Sequence, residues 1–211
     1  MFKNINPVVR ILVIADFFYN AAFASFAPVF AIFITGQIAG GSASVAGFAT
    51  ASYWVVKSIF QLPVARFLDR TDGEHDDFWA MWAGYLLTGF IPLAYLFVNE
   101  PWQLYLVQGV YGFLMAWLVP AWYSIFTRHV DKWRISFEWS LESVFSVGLA
   151  TAGAAALGGY LVDTFGFQLL FLISGIAAIA SSFLILLVRR HLIEVGEPQE
   201  RVIPEKHHGS R

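Results

Sequence analysis

The stretch FQLLFLISGIAAIASSFLILLV, residues 167–188, holds no charged side chain, and its one amide is Gln168. A helix crosses a bilayer with about 20 predominantly apolar residues. A soluble helix needs a polar outer face, and this stretch offers none. Working outward from it, five more runs read the same way: Ile11–Thr35, Val45–Phe67, Phe78–Val98, Trp102–Phe126 and Phe137–Val162. The connections between them are short. Composition agrees, since 58% of the 211 residues are hydrophobic, 18% are aromatic and only 13% are charged, against about 25% charged in a soluble domain. The sequence therefore predicts an all-α integral membrane protein with six transmembrane helices, residues 1–190, followed by a polar tail, 191–211. The tail contains Pro198 and Pro204 and reads as disordered. The apolar run Ile11–Thr35 is longer than a signal-peptide core and has no small-residue cleavage site, so no cleavable signal is expected.

Charge sets the orientation. With six spans both termini share one side. Lys3, Arg10, Arg66, Arg70, Arg128, Lys132, Arg134, Arg189, Arg190, Arg201, Lys206 and Arg211 all fall there, while the opposite loops carry only Glu100 and Asp163 as charges. The excess of lysine and arginine on one side predicts cytoplasmic termini in a cell (inner or plasma) membrane. The net charge of −2 speaks against a nucleic-acid partner.

A faint internal repeat is visible. Ala27-Pro28-Val29-Phe30 closes span 1 and Val119-Pro120-Ala121-Trp122 closes span 4. Phe67-Leu68-Asp69 leaves span 2, followed by Gly73, and Leu161-Val162-Asp163 leaves span 5, followed by Gly166. The members of each pair lie on opposite membrane sides, which is the pattern of a three-plus-three inverted repeat.

Three further segments carry a resemblance. Ala65-Arg66-Phe67-Leu68-Asp69-Arg70-Thr71-Asp72-Gly73 resembles the loop signature Gly-x-x-x-Asp-Arg-x-Gly between spans 2 and 3 of the major facilitator superfamily. The Asp-Arg pair matches. Ala65 replaces the first glycine, the second is displaced to Gly73, and the acids Glu74, Asp76 and Asp77 stand where basic residues are usual. Gln108-Gly109-Val110-Tyr111-Gly112 resembles the family's Arg-x-x-x-Gly motif with Gln108 at the arginine position. Gly158-Gly159-Tyr160-Leu161-Val162-Asp163-Thr164-Phe165-Gly166-Phe167 resembles its turn from span 5 to span 6. The resemblance covers about residues 8–190 and implies one half of a major facilitator fold. Family members join two such halves around a central cavity. It therefore implies a parallel homodimer through spans 2 and 5, with a heterodimer of half-size chains as the other arrangement.

The resemblance also implies a secondary active or facilitative transporter working by alternating access on a small organic solute. A sugar is the first expectation, a drug/proton antiporter another, and a half-size or regulatory subunit without transport of its own a third. Charges inside a span are rare and usually face a protein interior or water. Four occur. Asp16 stands in span 1 with Asn20 one turn on. Lys57 lies mid-span 2, about 18 Å of helix from Asp69, with Trp54 and Gln61 on its face. Glu138 and Glu142 stack at the start of span 5. These residues, with Gln108, Trp117 and Trp122 of span 4, are the candidate substrate and coupling-proton set. Asp16 also fits an ion pair that holds helices together. Glu138 also fits a first-turn acid favoured by the helix dipole, and each tryptophan also fits ordinary packing. The resemblance further implies a gate in which Asp69 meets the start of the other half's span 5, near Arg134 to Trp139, with Arg66 and Arg70 paired to the acids Asp131 or Glu138. The small-residue run Gly148, Ala152, Gly153, Ala156 and Gly159 suits close helix approach.

Enzymatic classes are not suggested. No histidine lies within a span, so membrane-embedded Ser-His or metal chemistry has no basis, and the chain contains no cysteine. No phosphate-binding loop precedes a Lys-Ser/Thr pair. No cofactor and no metal are expected.

Overall fold

In a computed structural model of the chain, residues 5–70 and 74–192 are described. The tail beyond Leu192, the second motif glycine Gly73 and the basic residues Lys3, Arg201, Lys206 and Arg211, for which the sequence carries expectations, lie outside them.

Helix starts follow their caps. Pro7 opens α1 (Pro7–Phe26), where a missing N–H costs nothing, and the Asn6 side chain accepts from the Val8 amide at 2.9 Å. Pro28 then interrupts the ladder. A 3-10 turn, Ala27–Val29, leads into α2 (Phe30–Gln37). Ser42 accepts from Val45 N at 3.2 Å at the head of α3 (Ala43–Leu68). The third rod is broken rather than continuous, as α4 (His75–Thr88) and α5 (Phe90–Tyr95) meet at Gly89. Pro92 has no N–H to give the Thr88 carbonyl. Gln103 caps α6 (Pro101–His129), accepting from Asn99 N at 2.8 Å and Glu100 N at 3.1 Å.

The fifth rod departs most from a regular helix. It begins as α7 (Ile135–Leu141), widens into a π-helical stretch from Glu142 to Leu149, and continues as α8 (Ala150–Ile185). Inside α8 the backbone turns at Gly166, with φ 80° and ψ 173°, at the place expected for the turn between spans 5 and 6. Glycine reaches this positive φ without a Cβ penalty. A final 3-10 segment runs from Leu186 to His191, one residue into the stretch assigned to the tail.

The described residues thus form six helical rods. By length and composition three stretches could cross a membrane: Pro7–Gln37, Pro101–His129 and Ile135–His191. The last, 57 residues long, is the pair of rods joined at Gly166. Helix α3 has 26 residues, long enough, but it carries Lys57, Gln61 and Arg66.

α1 packs on α8, α3 on α6, and α4 against both α6 and α8. Two approaches are too close for any side chain but hydrogen. A Cβ on Gly158 would run into the Ser25 carbonyl of α1, and one on Gly112 into the Tyr53 carbonyl of α3. Core residues gather in two clusters toward the two ends of the bundle. One centres on Leu12, Phe78, Met81 and Phe126, the other on Phe33, Tyr95, Leu104 and Phe171. The outer surface is apolar as well: Leu62 is 71% exposed and Phe97 76%. Such a surface suits lipid, not water.

The loops gather at the two ends of the bundle. The start of α4, the end of α6 and His191 are joined at one end, where His129 Nε2 lies 3.3 Å from the His191 carbonyl and Arg128 reaches Asp77. At the other end Ala39 N donates to Asn99 O at 2.9 Å. Arg66, Arg70, Arg128, Lys132, Arg134, Arg189 and Arg190 follow or flank the helix ends of the first group.

Candidate functional site

Three helical faces converge on one cavity of about 300 Å³. From α1 come Asp16, Tyr19 and Asn20, spaced i, i+3, i+4. From α6 come Met115, Leu118, Val119, Trp122 and Tyr123. The fifth rod supplies Trp139, Glu142, Ser143 and Val147, and α4 adds Tyr85. No Lys, Arg or His is among these lining residues.

Asp16 is 5% exposed. The Tyr85 hydroxyl donates to its Oδ1. The indole N–H of Trp122, on the same cavity wall, also acts on this carboxyl. Glu142 opens the π-helical stretch. That wider turn places Ser146 so that its hydroxyl lies 2.6 Å from Glu142 Oε2 and 2.9 Å from the Val13 carbonyl of α1. A π-bulge at such a position is a common feature of functional sites. Tyr19 bonds Thr88 at 2.9 Å, and its ring stands 4.7 Å from that of Tyr85. Trp122 stacks on Phe126 at 4.7 Å with its edge toward Trp139 at 6.0 Å. Five of the thirteen lining residues are aromatic, and the two carboxyls among them, Asp16 and Glu142, meet no basic side chain in the lining.

Of the expected residues, the cavity brings together Asp16, Asn20, Trp122 and Glu142. The others stand apart from it. Lys57 Nζ lies over the rings of its own neighbours, 4.9 Å from Trp54 and 5.7 Å from Tyr53. Trp54 is exposed and Gln61 half-buried. Gln108 is buried in α6, and Trp117 packs edge-on against Phe67 at 6.0 Å. Glu138 is buried in its own loop, where its Oε2 accepts from Asp131 N at 3.1 Å. Arg134 N donates to Asp131 O at 2.8 Å in the same turn. This is the first-turn role that the sequence allowed for Glu138. Arg66, Asp69 and Arg70 are exposed at the end of α3, and among the described residues no ion pair joins them to Asp131 or Glu138.

Sequence reasoning missed Tyr19, Tyr85, Trp139 and Ser143. Tyr19, Trp139 and Ser143 were readable from helical spacing around Asp16 and Glu142. Tyr85 was not, because its rod carries no charge and nothing local marks it. Also unforeseen is a polar cluster at the basic end. Asp77 Oδ2 accepts from Arg128 at 3.0 Å and from Ser124 at 2.6 Å, and His129 Nδ1 lies 3.5 Å from Glu74.

Comparison with known proteins adds a family and a fold. The family model described as Major Facilitator Superfamily matches residues 12–208. No curated protein matches the chain. Among solved structures, the in meso crystal structure of the POT family transporter PepTSo is similar, with a TM-score of 0.69 and 15% identity. The likeness covers 92% of this chain and 40% of that one, so the chain spans well under half the length of this structural relative.

Proposed function

The chain belongs to the major facilitator superfamily and is a multi-pass membrane protein, and from that premise we propose that it moves a small organic solute across the membrane by alternating access. The observation that carries this reading is the cavity: two carboxylates and a tyrosine–tryptophan wall, built from the α1, α6 and fifth-rod faces. Polar groups inside a membrane are costly and persist where a pathway needs them. Asp16 and Glu142 are the groups placed to exchange a proton with this cavity. Transport rather than catalysis fits the family.

In this reading all six rods span the membrane as an inverted repeat, with the basic end cytoplasmic. The packing supports it. Exchange of spans 1 with 4 and 2 with 5 turns the α1–α8 contact into the α6–α3 contact, and both are close backbone approaches, although the glycine stands on span 5 in the first (Gly158 on Ser25) and on span 4 in the second (Gly112 on Tyr53). A second copy in parallel orientation completes the pathway. Gly47 of α3 and Gly153 and Gly159 of α8 have nothing within 4 Å of a Cβ position, so these surfaces are open to a partner helix. Asp69, Arg66 and Arg70 then reach the partner copy's fifth rod as the gate.

Uptake by purified protein in liposomes, across a panel of sugars, amines and peptides, tests the reading. Time-dependent accumulation of one class supports it. Tight membrane insertion with no uptake of any class would instead favour a subunit that needs a different partner.

A further inference from the structure

The charge balance of the cavity narrows the solute. Asp16 and Glu142 both line it, and no cationic side chain does. Lys57, the intramembrane cation of the sequence, is held over Tyr53 and Trp54 on another face of the bundle. The groups that meet Asp16 from the packed elements are Tyr85 of α4, Trp122 of α6 and Glu142 of the fifth rod, none of them positive. Asp16 is more than nine-tenths buried and lines the cavity, and the groups beside its carboxyl among the described residues, the Tyr85 hydroxyl and the Trp122 indole N–H, are neutral donors that bring no counter-charge. Glu142 has at most one neutral donor, Ser146, and that hydroxyl has a single proton to divide between Glu142 and the Val13 carbonyl. A buried carboxylate without a counter-charge is expensive. A sugar would bring hydroxyls to this site but no positive charge.

Around the two acids stand the rings of Tyr19, Tyr85, Trp122 and Trp139. Aromatic faces attract cations through the ring quadrupole, and an enclosure of several rings is a known way to hold an ammonium group. A volume of about 300 Å³ lies at the small end of the range for ligand sites.

We propose that the cavity binds a small organic cation, a protonated or quaternary amine, with Asp16 and Glu142 as its counter-charges and the aromatic walls around its carbon substituents. The inference rests on the transport reading only for what happens after binding, because binding can be measured without transport.

The test uses the full chain, purified in detergent. Choline and phenyltrimethylammonium are titrated against the fluorescence of the cavity tryptophans. Each is compared with its neutral isostere, in which a quaternary carbon replaces the nitrogen, and with glucose. At least one cation should bind roughly tenfold or more tightly than its isostere. Asp16→Asn and Glu142→Gln should each weaken the cation by a similar factor while circular dichroism stays unchanged. Asp163→Asn, an acid far along the chain at the Gly166 turn, should leave binding as it was. Equal binding of cation and isostere, preference for glucose, or no binding of either cation would overturn the proposal. So would cation binding that survives both acid substitutions in folded protein. Uptake in liposomes separates the two readings. Cation binding without uptake would sink transport and keep this site, whereas glucose uptake without cation binding would do the reverse.

Discussion

Asp77 and Asp16 are both shut away from solvent, at 1% and 5% exposure, yet they are held in opposite ways. Asp77 sits in the first turn of α4, where a helix N-terminus already favours a carboxylate. It also has the Arg128 guanidinium at 3.0 Å and the Ser124 hydroxyl at 2.6 Å. Asp16 sits in mid-helix beside two neutral donors, Tyr85 and the Trp122 indole, and shares its cavity with a second acid, Glu142. One acid has a counter-charge in the protein, and the other has none among the described residues; in the proposed reading that place belongs to the solute. Buried charge that is matched internally ties helices together. Buried charge that is not matched costs stability and is kept where binding needs it.

The strongest way to break this comparison is to remove the cation from the matched site. Arg128→Ala leaves Asp77 buried without its counter-charge and should cost about 3 kcal/mol. This would be read as a lowered midpoint of thermal unfolding for the protein in detergent. The double variant Asp77→Asn/Arg128→Gln should recover most of the loss, because neither charge then remains. An Arg128→Ala protein that melts like the parent would mean that Asp77 is not held by its ion pair.

The distance between the two unmatched acids depends on how closely their helices run. Asp16 is on α1, and Glu142 is on the rod that continues into α8, where Gly158 lets that rod touch the Ser25 carbonyl. Gly158→Ala places a methyl group inside that backbone contact. Overpacking of this kind costs about 1–3 kcal/mol. Stability and binding of a cationic probe should fall together. Gly36→Ala, on α2, whose Cβ meets nothing within 4 Å, should leave both unchanged. Equal behaviour of the two variants would show that the α1–α8 approach does not set the cavity.

The membrane class of the fold was legible because an apolar run of bilayer length needs only composition to be recognised, as at residues 167–188. The turn at Gly166 was legible too, from a glycine flanked by Asp163 and Phe167 between two such runs. The break of the third rod at Gly89 was not, because it depends on Pro92 acting on a carbonyl one turn back within an otherwise continuous apolar stretch. The π-helical turn from Glu142 to Leu149 left no mark in the sequence. It lies where Ser146, whose hydroxyl also neighbours Glu142, meets the Val13 carbonyl, a contact 133 residues apart in the chain. The site was half legible. Charge within a span singled out Asp16 and Glu142, but charge alone gave Lys57 equal standing, and only the three-dimensional placement sets it over Tyr53 and Trp54. Asp77 read as one of several loop acids because its partner Arg128 lies 51 positions later.

The smallest expected effect is the most discriminating. Asp16→Asn keeps the shape of the side chain and an oxygen for the Tyr85 hydroxyl, and it removes a charge that has no counter-charge among the described residues. Its new amide donor lies beside Glu142, an acceptor, along the cavity wall. Loss of the unmatched charge and gain of a donor pull against the loss of the stronger charged acceptor for Tyr85. The unfolding free energy should therefore shift by less than about 1 kcal/mol, and a gain is as acceptable as a loss. The same substitution at the matched site, Asp77→Asn, strands the Arg128 charge near Ser124 and should destabilise visibly more. Thermal unfolding of the two variants side by side settles the ranking. If Asp16→Asn unfolds as early as Arg128→Ala, then Asp16 is a structural acid after all, and the cavity loses its claim to a charge held in reserve for a solute.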